Sequence, residues 1–442
     1  MRVFRDPIRL IPVLFLLAIL VGAGLLSLPI ASADGEPTAL MTALFTSTSA
    51  VAVTGLIVVD TATYWSFFGQ VVILLLFQIG GFGIMTAATL FGLMAGRGFG
   101  LRDRMATQVE RNRLEGGDAR SVLKLVLKIT IAVEATVAAI LTARLYFFYD
   151  HALGDAVWHG IFHSISAFNN AGFSSYSDSV MGFQSDPVML IPIMLAVILT
   201  ALGFPVMQDL RRHRLTWSDW SLHTKITMSG TAGLLVIGFV SILAMEWSNG
   251  DTLGPMDLGA KVLNAGFHSV MPRTAGFNSL DVGAFRDETL MMNYFLMFIG
   301  GGSAGTAGGI KITTFLVVLA IVMSEVARRR DAGLFGRRFG PAVERQALTV
   351  VVLAGSLIFG ATVILSIVSP LPFEDLLFEA ISAFSTVGLS TGVTGDLPPS
   401  GQLVIIALMF VGRVGTITVA TALALGAQPR PYRYPQEDPI VG

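Results

Sequence analysis

Four glycines stand in matched surroundings along this chain: Gly55, Gly172, Gly276 and Gly388. Each closes a short, weakly polar stretch, SAVAVTGL ending at Leu56, SAFNNAGF at Phe173, NAGFHSVMPRTAGFN at Asn278 and SAFSTVGL at Leu389. Aligned on the glycine, a Ser-Ala pair precedes it as Ser49-Ala50, Ser166-Ala167 and Ser382-Ala383, and the third copy carries Val270-Met271 instead. The glycines lie a little over a hundred residues apart, so the chain reads as one unit repeated four times. The chemistry this suits is cation coordination. A dehydrated cation needs oxygens in place of water, and a ring of backbone carbonyls supplies them. Glycine lets the backbone run extended with its carbonyls turned to an axis, free of a Cβ penalty. A short helix aimed at the same point adds the negative end of its dipole. The candidate coordinating segments are Val53-Thr54-Gly55, Asn170-Ala171-Gly172, Thr274-Ala275-Gly276 and Thr386-Val387-Gly388. The plainer reading is that these glycines allow close helix packing; recurrence in matched context favours the ring.

A second glycine cluster interrupts an apolar run: Gly300-Gly301-Gly302-Ser303-Ala304-Gly305-Thr306-Ala307-Gly308-Gly309, followed by Lys311. So many glycines cannot hold a steady helix, and at membrane depth such backbone survives only inside protein or beside a water-filled cavity. Gly301 to Gly305 also fits the nucleophile-elbow pattern G-x-S-x-G, but that motif needs a strand before it and a helix after. A membrane helix precedes it here, so neither a hydrolase at Ser303 nor a phosphate loop is expected, and the chain is not read as an enzyme. Arg413 falls near the middle of the last apolar run, where an arginine is costly and by default faces the interior with a partner; snorkelling to the cytoplasmic side is the alternative. Lys311 reads equally as a loop anchor or an interfacial residue. Arg273, just before the third glycine segment, suits pore-mouth electrostatics or a surface position. His159 and His163 have ligand-like spacing but no third ligand, so polar packing is expected of them.

These residues need a membrane to position them. Of 442 residues, 53% are hydrophobic and only 13% charged, far from a soluble globular composition. Apolar runs of about 20 to 28 residues alternate with short charged ones, the pattern of a polytopic helical membrane protein. There is no cysteine, which excludes disulfides and thiolate-ligated metals. Ala31-Ser32-Ala33 resembles a signal-peptidase site, yet the run from Leu10 to Ile30 is too long for a usual signal and reads as a retained first helix. Each unit then has an outer helix, a short helix and an inner helix. The outer helices are near Leu10 to Ile30, Leu123 to Phe148, Leu222 to Met245 and Val343 to Val368. The short ones are Ala39 to Val51, Asp155 to Phe168, Asp257 to Ser269 and Glu374 to Phe384. The inner segments are Phe67 to Ala95, Pro187 to Leu210, Leu290 to Arg328 and Gln402 to Gly426. The short segments cannot span a bilayer and suit re-entry from one face.

Most of the 29 lysines and arginines lie in the N-terminal tail, in Arg97 to Lys128, Arg211 to Lys225, Arg328 to Arg345, and in the C-terminal tail. Acids such as Asp34, Asp150, Asp178, Asp251, Asp281 and Asp396 mark the opposite connections. By the positive-inside rule the unit junctions and both termini are cytoplasmic, and the short helices enter from outside. Two spans and one re-entrant hairpin return the chain to its starting side, so all four units share one orientation around an axis along the membrane normal. Inverted-repeat solute transporters need an odd number of spans per unit. The expected fold is therefore an all-α integral membrane protein: four parallel outer helix–pore helix–filter–inner helix repeats around a pseudo-fourfold pore. The repeats cover residues 1–100, 101–214, 215–335 (with the broken inner helix) and 336–442. Nucleic acid is not an expected partner, because the basic residues sit at membrane edges.

On its four glycine segments the chain resembles the KtrB family, the membrane subunits of Ktr potassium uptake systems within the Trk/Ktr/HKT superfamily. The resemblance runs over essentially the whole chain, and a start directly at the first outer helix favours this branch over the related TrkH type. It implies K+ as the transported ion, Na+ as a candidate activator and no cofactor bound by the chain. It also implies a simplified filter with looser K+/Na+ discrimination than potassium channels have. Gly300 to Gly309 would be an intramembrane gate loop, held through its carbonyls by Arg413. A homodimer in the cell (inner) membrane, with lipid around it and a cytoplasmic ring of nucleotide-binding RCK subunits, is implied in the same way.

Overall fold

The computed structural model describes residues 7–95, 119–214 and 216–415. The apolar runs fold as helices whose outward faces are also apolar. Four long ones form the periphery: α1 (Pro7–Leu26), α4 (Ala119–Phe148), α8 (Leu222–Glu246) and α12 (Pro341–Val368). Leu17, Leu20, Phe147, Val236, Phe359 and Ile367 on them are exposed, a surface suited to acyl chains rather than water. Each outer helix packs against the short helix that follows it: α2 (Leu40–Val51), α5 (Leu153–Asn169), α9 (Leu258–Val270) and α13 (Phe373–Ser385). At about 1.5 Å per residue these short helices reach roughly 18 to 26 Å, less than the hydrocarbon core of about 30 Å. Asp257 starts α9 by accepting from Gly259 N–H at 2.9 Å and Ala260 N–H at 3.3 Å.

The inner segments are less uniform. α3 (Phe67–Ala95) is continuous. The second was expected as one helix from Pro187 to Leu210. It is two, α6 (Pro187–Leu202) and α7 (Phe204–His213), bent by 94°. Gly203 between them has φ +88°, outside helical space, and Pro205 starts the next turn as proline does at a helix N-terminus. The third breaks as expected, into α10 (Asp287–Phe298) and α11 (Ile312–Val326). The fourth, α14 (Pro399–Phe410), continues into a π-helical turn at Val411–Gly415. Its expected extension to Gly426, the basic residues from Arg97 to Asp118 and both tails lie outside the described residues.

Each inner helix packs on the short helix of the next unit. α3 meets α5, α6 meets α9, α10 meets α13, and α14 closes the circle on α2. The units therefore close around a central axis, and each short helix contributes one fully buried phenylalanine to the apolar packing: Phe45, Phe162, Phe267 and Phe378. Buried carboxylates lock one end of the second and third units. Glu246 accepts from Thr252 Oγ1 (2.6 Å), Asn249 Nδ2 (2.6 Å), Thr289 Oγ1 (2.5 Å) and Arg286 N–H (3.1 Å), tying the end of α8 to the start of α10. Asp186 caps α6 at Val188 N–H and accepts from Arg144 Nε (2.8 Å) and Tyr149 Oη (3.0 Å) beside α4. Burial, and then this carboxylate, raise the Tyr149 phenol above its ordinary range.

Candidate functional site

The C-terminal ends of α2, α5, α9 and α13 converge, and the four glycine segments meet there in a closed ring. A Cβ built on Gly55 would lie 2.5 Å from the Ala171 carbonyl oxygen. One on Gly172 would lie 3.0 Å from that of Ala275, one on Gly276 2.5 Å from that of Val387, and one on Gly388 would strike that of Thr54. Every copy thus leans on the next, and the fourth returns to the first. No side chain larger than hydrogen fits. The backbone differs from the extended form expected. Val53, Asn170, Thr274 and Thr386 have φ of 55°, 58°, 73° and 50°, and the glycines two residues on have 93°, 70°, 74° and 92°. Left-handed residues flanking one with negative φ turn the carbonyls differently from a pleated strand. For β-branched Val53, Thr274 and Thr386 this is a strained conformation, of the kind kept at functional sites.

The Ser-Ala pairs hold these turns from behind. Ser49 Oγ accepts from Gly55 N–H (3.1 Å) and Ser382 Oγ from Gly388 N–H (3.2 Å). Ser166 and Ser382 donate to the carbonyls of Phe173 (2.7 Å) and Leu389 (2.6 Å). The backbone adds Thr54 N–H to Ser49 O, Ala171 N–H to Ser166 O and Val387 N–H to Ser382 O, at 2.8, 2.8 and 2.9 Å. In the third copy the equivalent bond runs from Ala275 N–H to Met271 O at 3.0 Å. Met271, not Val270, therefore stands in the serine's place. The buried phenylalanines agree: Phe45, Phe162 and Phe378 stand ten residues before their glycine, Phe267 only nine. Glycine-anchored alignment hid this one-residue deletion.

The second glycine cluster lies against this ring. Residues 299–311 form a loop pinched at its base by Gly300 N–H to Ile310 O (2.9 Å) and Ile312 N–H to Gly301 O (3.1 Å). One side enters the break between α6 and α7. Gly302 N–H donates to Ala201 O at 2.7 Å, Phe204 N–H donates to Ala304 O at 3.3 Å, and a Cβ on Gly305 would lie 2.7 Å from Thr200 O. The far side touches the end of α13, where a Cβ on Gly308 would meet Ser385 O at 2.5 Å. Arg413 reaches the loop from the π turn. It is 3% exposed, and its Nη1 donates to Thr306 O, which rules out snorkelling. Lys311 Nζ donates to Ala307 O at 2.5 Å, so it contacts the loop rather than an interface. Arg413 Nε and Nη2 have no partner among the described residues.

The remaining candidates separate clearly. Ser303 Oγ pairs with Thr313 Oγ1 at 3.3 Å, and helix α10 rather than a strand precedes it, so the nucleophile-elbow geometry does not form. His163 bonds the His159 carbonyl (2.8 Å) and Ser174 Oγ (2.9 Å), and His159 bonds Ser175 Oγ (2.7 Å), with Tyr176 stacked on both rings. They pack the outer loop of the second unit. Arg273 is not at a surface: it is 2% exposed and its Nη1 donates to Thr231 O in α8 at 3.1 Å.

Known proteins match this chain over nearly its full length. A family model described as "TrkH: Cation transport protein" matches residues 18–430. The chain is 39% identical over 436 residues to the "Ktr system potassium uptake protein B" of Bacillus subtilis, covering 99% of this chain and 97% of that one. It is 37% identical to the "Potassium/sodium uptake protein NtpJ" of Enterococcus hirae, again covering 99% and 97%. The crystal structure of the potassium transporter TrkH from Vibrio parahaemolyticus superposes with a TM-score of 0.75 at 17% identity, over 95% of this chain and 85% of that one.

Proposed function

Because the chain belongs to the TrkH family of cation transport proteins, we propose that it is the ion-conducting membrane subunit of a Ktr-type K+ uptake system. The observation that carries this is the closed ring in which each glycine excludes a Cβ against the next copy's carbonyl. A cation entering from the acidic outer side sheds water where four backbone turns converge, at the negative ends of four helix dipoles. The loop at 299–311, directly against that ring, is the gate. Arg413 and Lys311 hold its Thr306 and Ala307 carbonyls, and opening requires those contacts to break.

K+ is the cargo in this reading and Na+ a candidate activator, in line with the names of the relatives. Four repeats divide near residues 100, 214 and 335. The subunit works as a homodimer in the cell (inner) membrane, with both termini cytoplasmic, and a nucleotide-binding RCK-type ring docks on its basic junctions. A secondary solute carrier fits less well, because the four units close one ring with equivalent helix ends. Rb+ and Na+ isotope uptake into proteoliposomes, with and without Na+ in the bath, tests the reading. Selective, saturable Rb+ uptake is expected, and vesicles no more permeable than protein-free ones would refute it.

A further inference from the structure

Three of the four ring segments are fastened by a serine hydroxyl at the end of their short helix, and the third is not. Met271 occupies that place, with a turn one residue shorter. Gly276 N–H is left with a long 3.4 Å bond to Met271 O. The same turn carries the one feature the other three lack, a buried arginine. Arg273 leaves the chain three residues before Gly276, runs away from the ring and donates to Thr231 O, a backbone carbonyl inside α8. The other units have Ala52, Asn169 and Ser385 at this distance from the glycine, none able to reach an outer helix so far away. Among the described residues no carboxylate pairs with Arg273, and its Nε has no partner. A charge buried at this cost, with a single hydrogen bond to a helix carbonyl, requires a reason.

We propose that Arg273 is a positioning residue for the third filter segment, tethering it to the outer helix in place of the serine clamp that the other three repeats use. This rests on the reading of the ring as the ion filter. A filter selects only if its oxygens keep their spacing, so every segment needs fastening against the chain's own motion. Three are tied down by a hydroxyl within the turn. The third, having lost that hydroxyl along with one residue, is tied from outside. A neutral serine in place of Met271 should therefore substitute for the arginine, since what the site requires is a fastening and not a charge.

The test is the ratio of Rb+ to Na+ isotope uptake in proteoliposomes, for monodisperse protein at equal loading. Arg273→Met should lower that ratio about tenfold, the factor corresponding to one lost hydrogen bond from a charged group. Adding Met271→Ser should restore most of it. If Arg273→Met leaves the ratio within about twofold of wild type, or lowers it without rescue by Met271→Ser, the tether is refuted. Should Arg273→Met not fold, the double variant carries the test: it should fold and discriminate, and failing at either overturns the proposal. Wild-type protein without any Rb+ preference would instead remove the filter reading itself, so the two failures are distinguishable.

Discussion

The ring and the loop that lies against it are both built on glycine, and glycine serves opposite purposes in the two. In the ring each glycine is fixed by a left-handed φ and by the next copy's carbonyl, and serine hydroxyls fasten three of the four copies from behind. In the loop the glycines belong to one inner segment out of four. That loop is docked by bonds to the end of α6 and to Arg413 and by close contact with the end of α13, three unlike neighbours. Repetition makes the first region rigid; singularity leaves the second with contacts that can be removed one at a time. Selectivity is expected to reside in the first and opening in the second. Substitutions in the two regions should then fail in different ways, one in ion preference and the other in rate.

The largest effect on preference should come from Gly276→Ser. Its φ of +74° already disfavours a side chain, by about 1–2 kcal/mol, and the new Cβ would press on Val387 O at 2.5 Å. The Rb+ over Na+ uptake ratio should fall tenfold or more, with the protein still assembling because the clash is local. An unchanged ratio would break the comparison at its first term.

Arg413→Ala, and separately deletion of Ser303 to Ala307, should raise Rb+ flux of the isolated subunit while leaving ion preference in place. A hydrogen bond from a charged group contributes roughly 1.5 to 3 kcal/mol, enough to shift an open-to-closed ratio about ten- to a hundredfold. Removing a positive charge beside the proposed ion path should act in the same direction. The measurement is uptake per reconstituted protein, with and without the proposed cytoplasmic partner. Folded variants with unchanged or lower flux would mark the loop as a kink without a gating role.

Much of this was legible in the sequence, and what escaped has identifiable causes. The four short helices fall within one or two residues of expectation, because apolar run length, polar turns and glycine position all define them. The ring was legible because it repeats. The break at Gly203 was not: a lone glycine in an apolar run reads as tolerable until Ser303 and Ala304 are seen filling the gap it opens. The third copy misled for a related reason. Alignment on glycine is blind to a deletion between helix and glycine, although Phe267, one place out of step with Phe45, Phe162 and Phe378, carried the signal. Arg413 pointed inward on cost alone, whereas Arg273 suited a pore mouth or a surface, and only the structure reveals the carbonyls they reach. Glu246 carried no signal in the sequence, since nothing local announces its four donors.

A smaller effect on flux is expected from Lys311→Met. Its bond to Ala307 O lies within the loop and its own neck, whereas Arg413 joins the loop to another repeat. Loosening an internal bond changes the loop's shape without directly undocking it, so a rise of no more than about tenfold should appear. Flux from Lys311→Met equal to that from Arg413→Ala would mean that closure depends on the loop's internal form rather than on its docking.

The smallest effect should come from Ser382→Ala, and it probes the rigid side of the comparison most finely. Ser382 is fully buried, accepts from Gly388 N–H and donates to Leu389 O. Losing both bonds costs about 1–3 kcal/mol of stability, visible as a lower melting temperature in detergent. Ion preference should change far less, by a few-fold. Thr386 N–H and Val387 N–H still bond the backbone of α13, and three neighbouring segments constrain the fourth. The wild-type protein already has one copy without a serine in that position, at Met271, with its ring still closed. A variant that melts earlier yet keeps its preference would place the ring's precision in repetition rather than in any one clamp. If Ser382→Ala instead removes preference as completely as Gly276→Ser does, each clamp is indispensable by itself. The tolerance of the third copy would then depend wholly on the bond from Arg273 to α8.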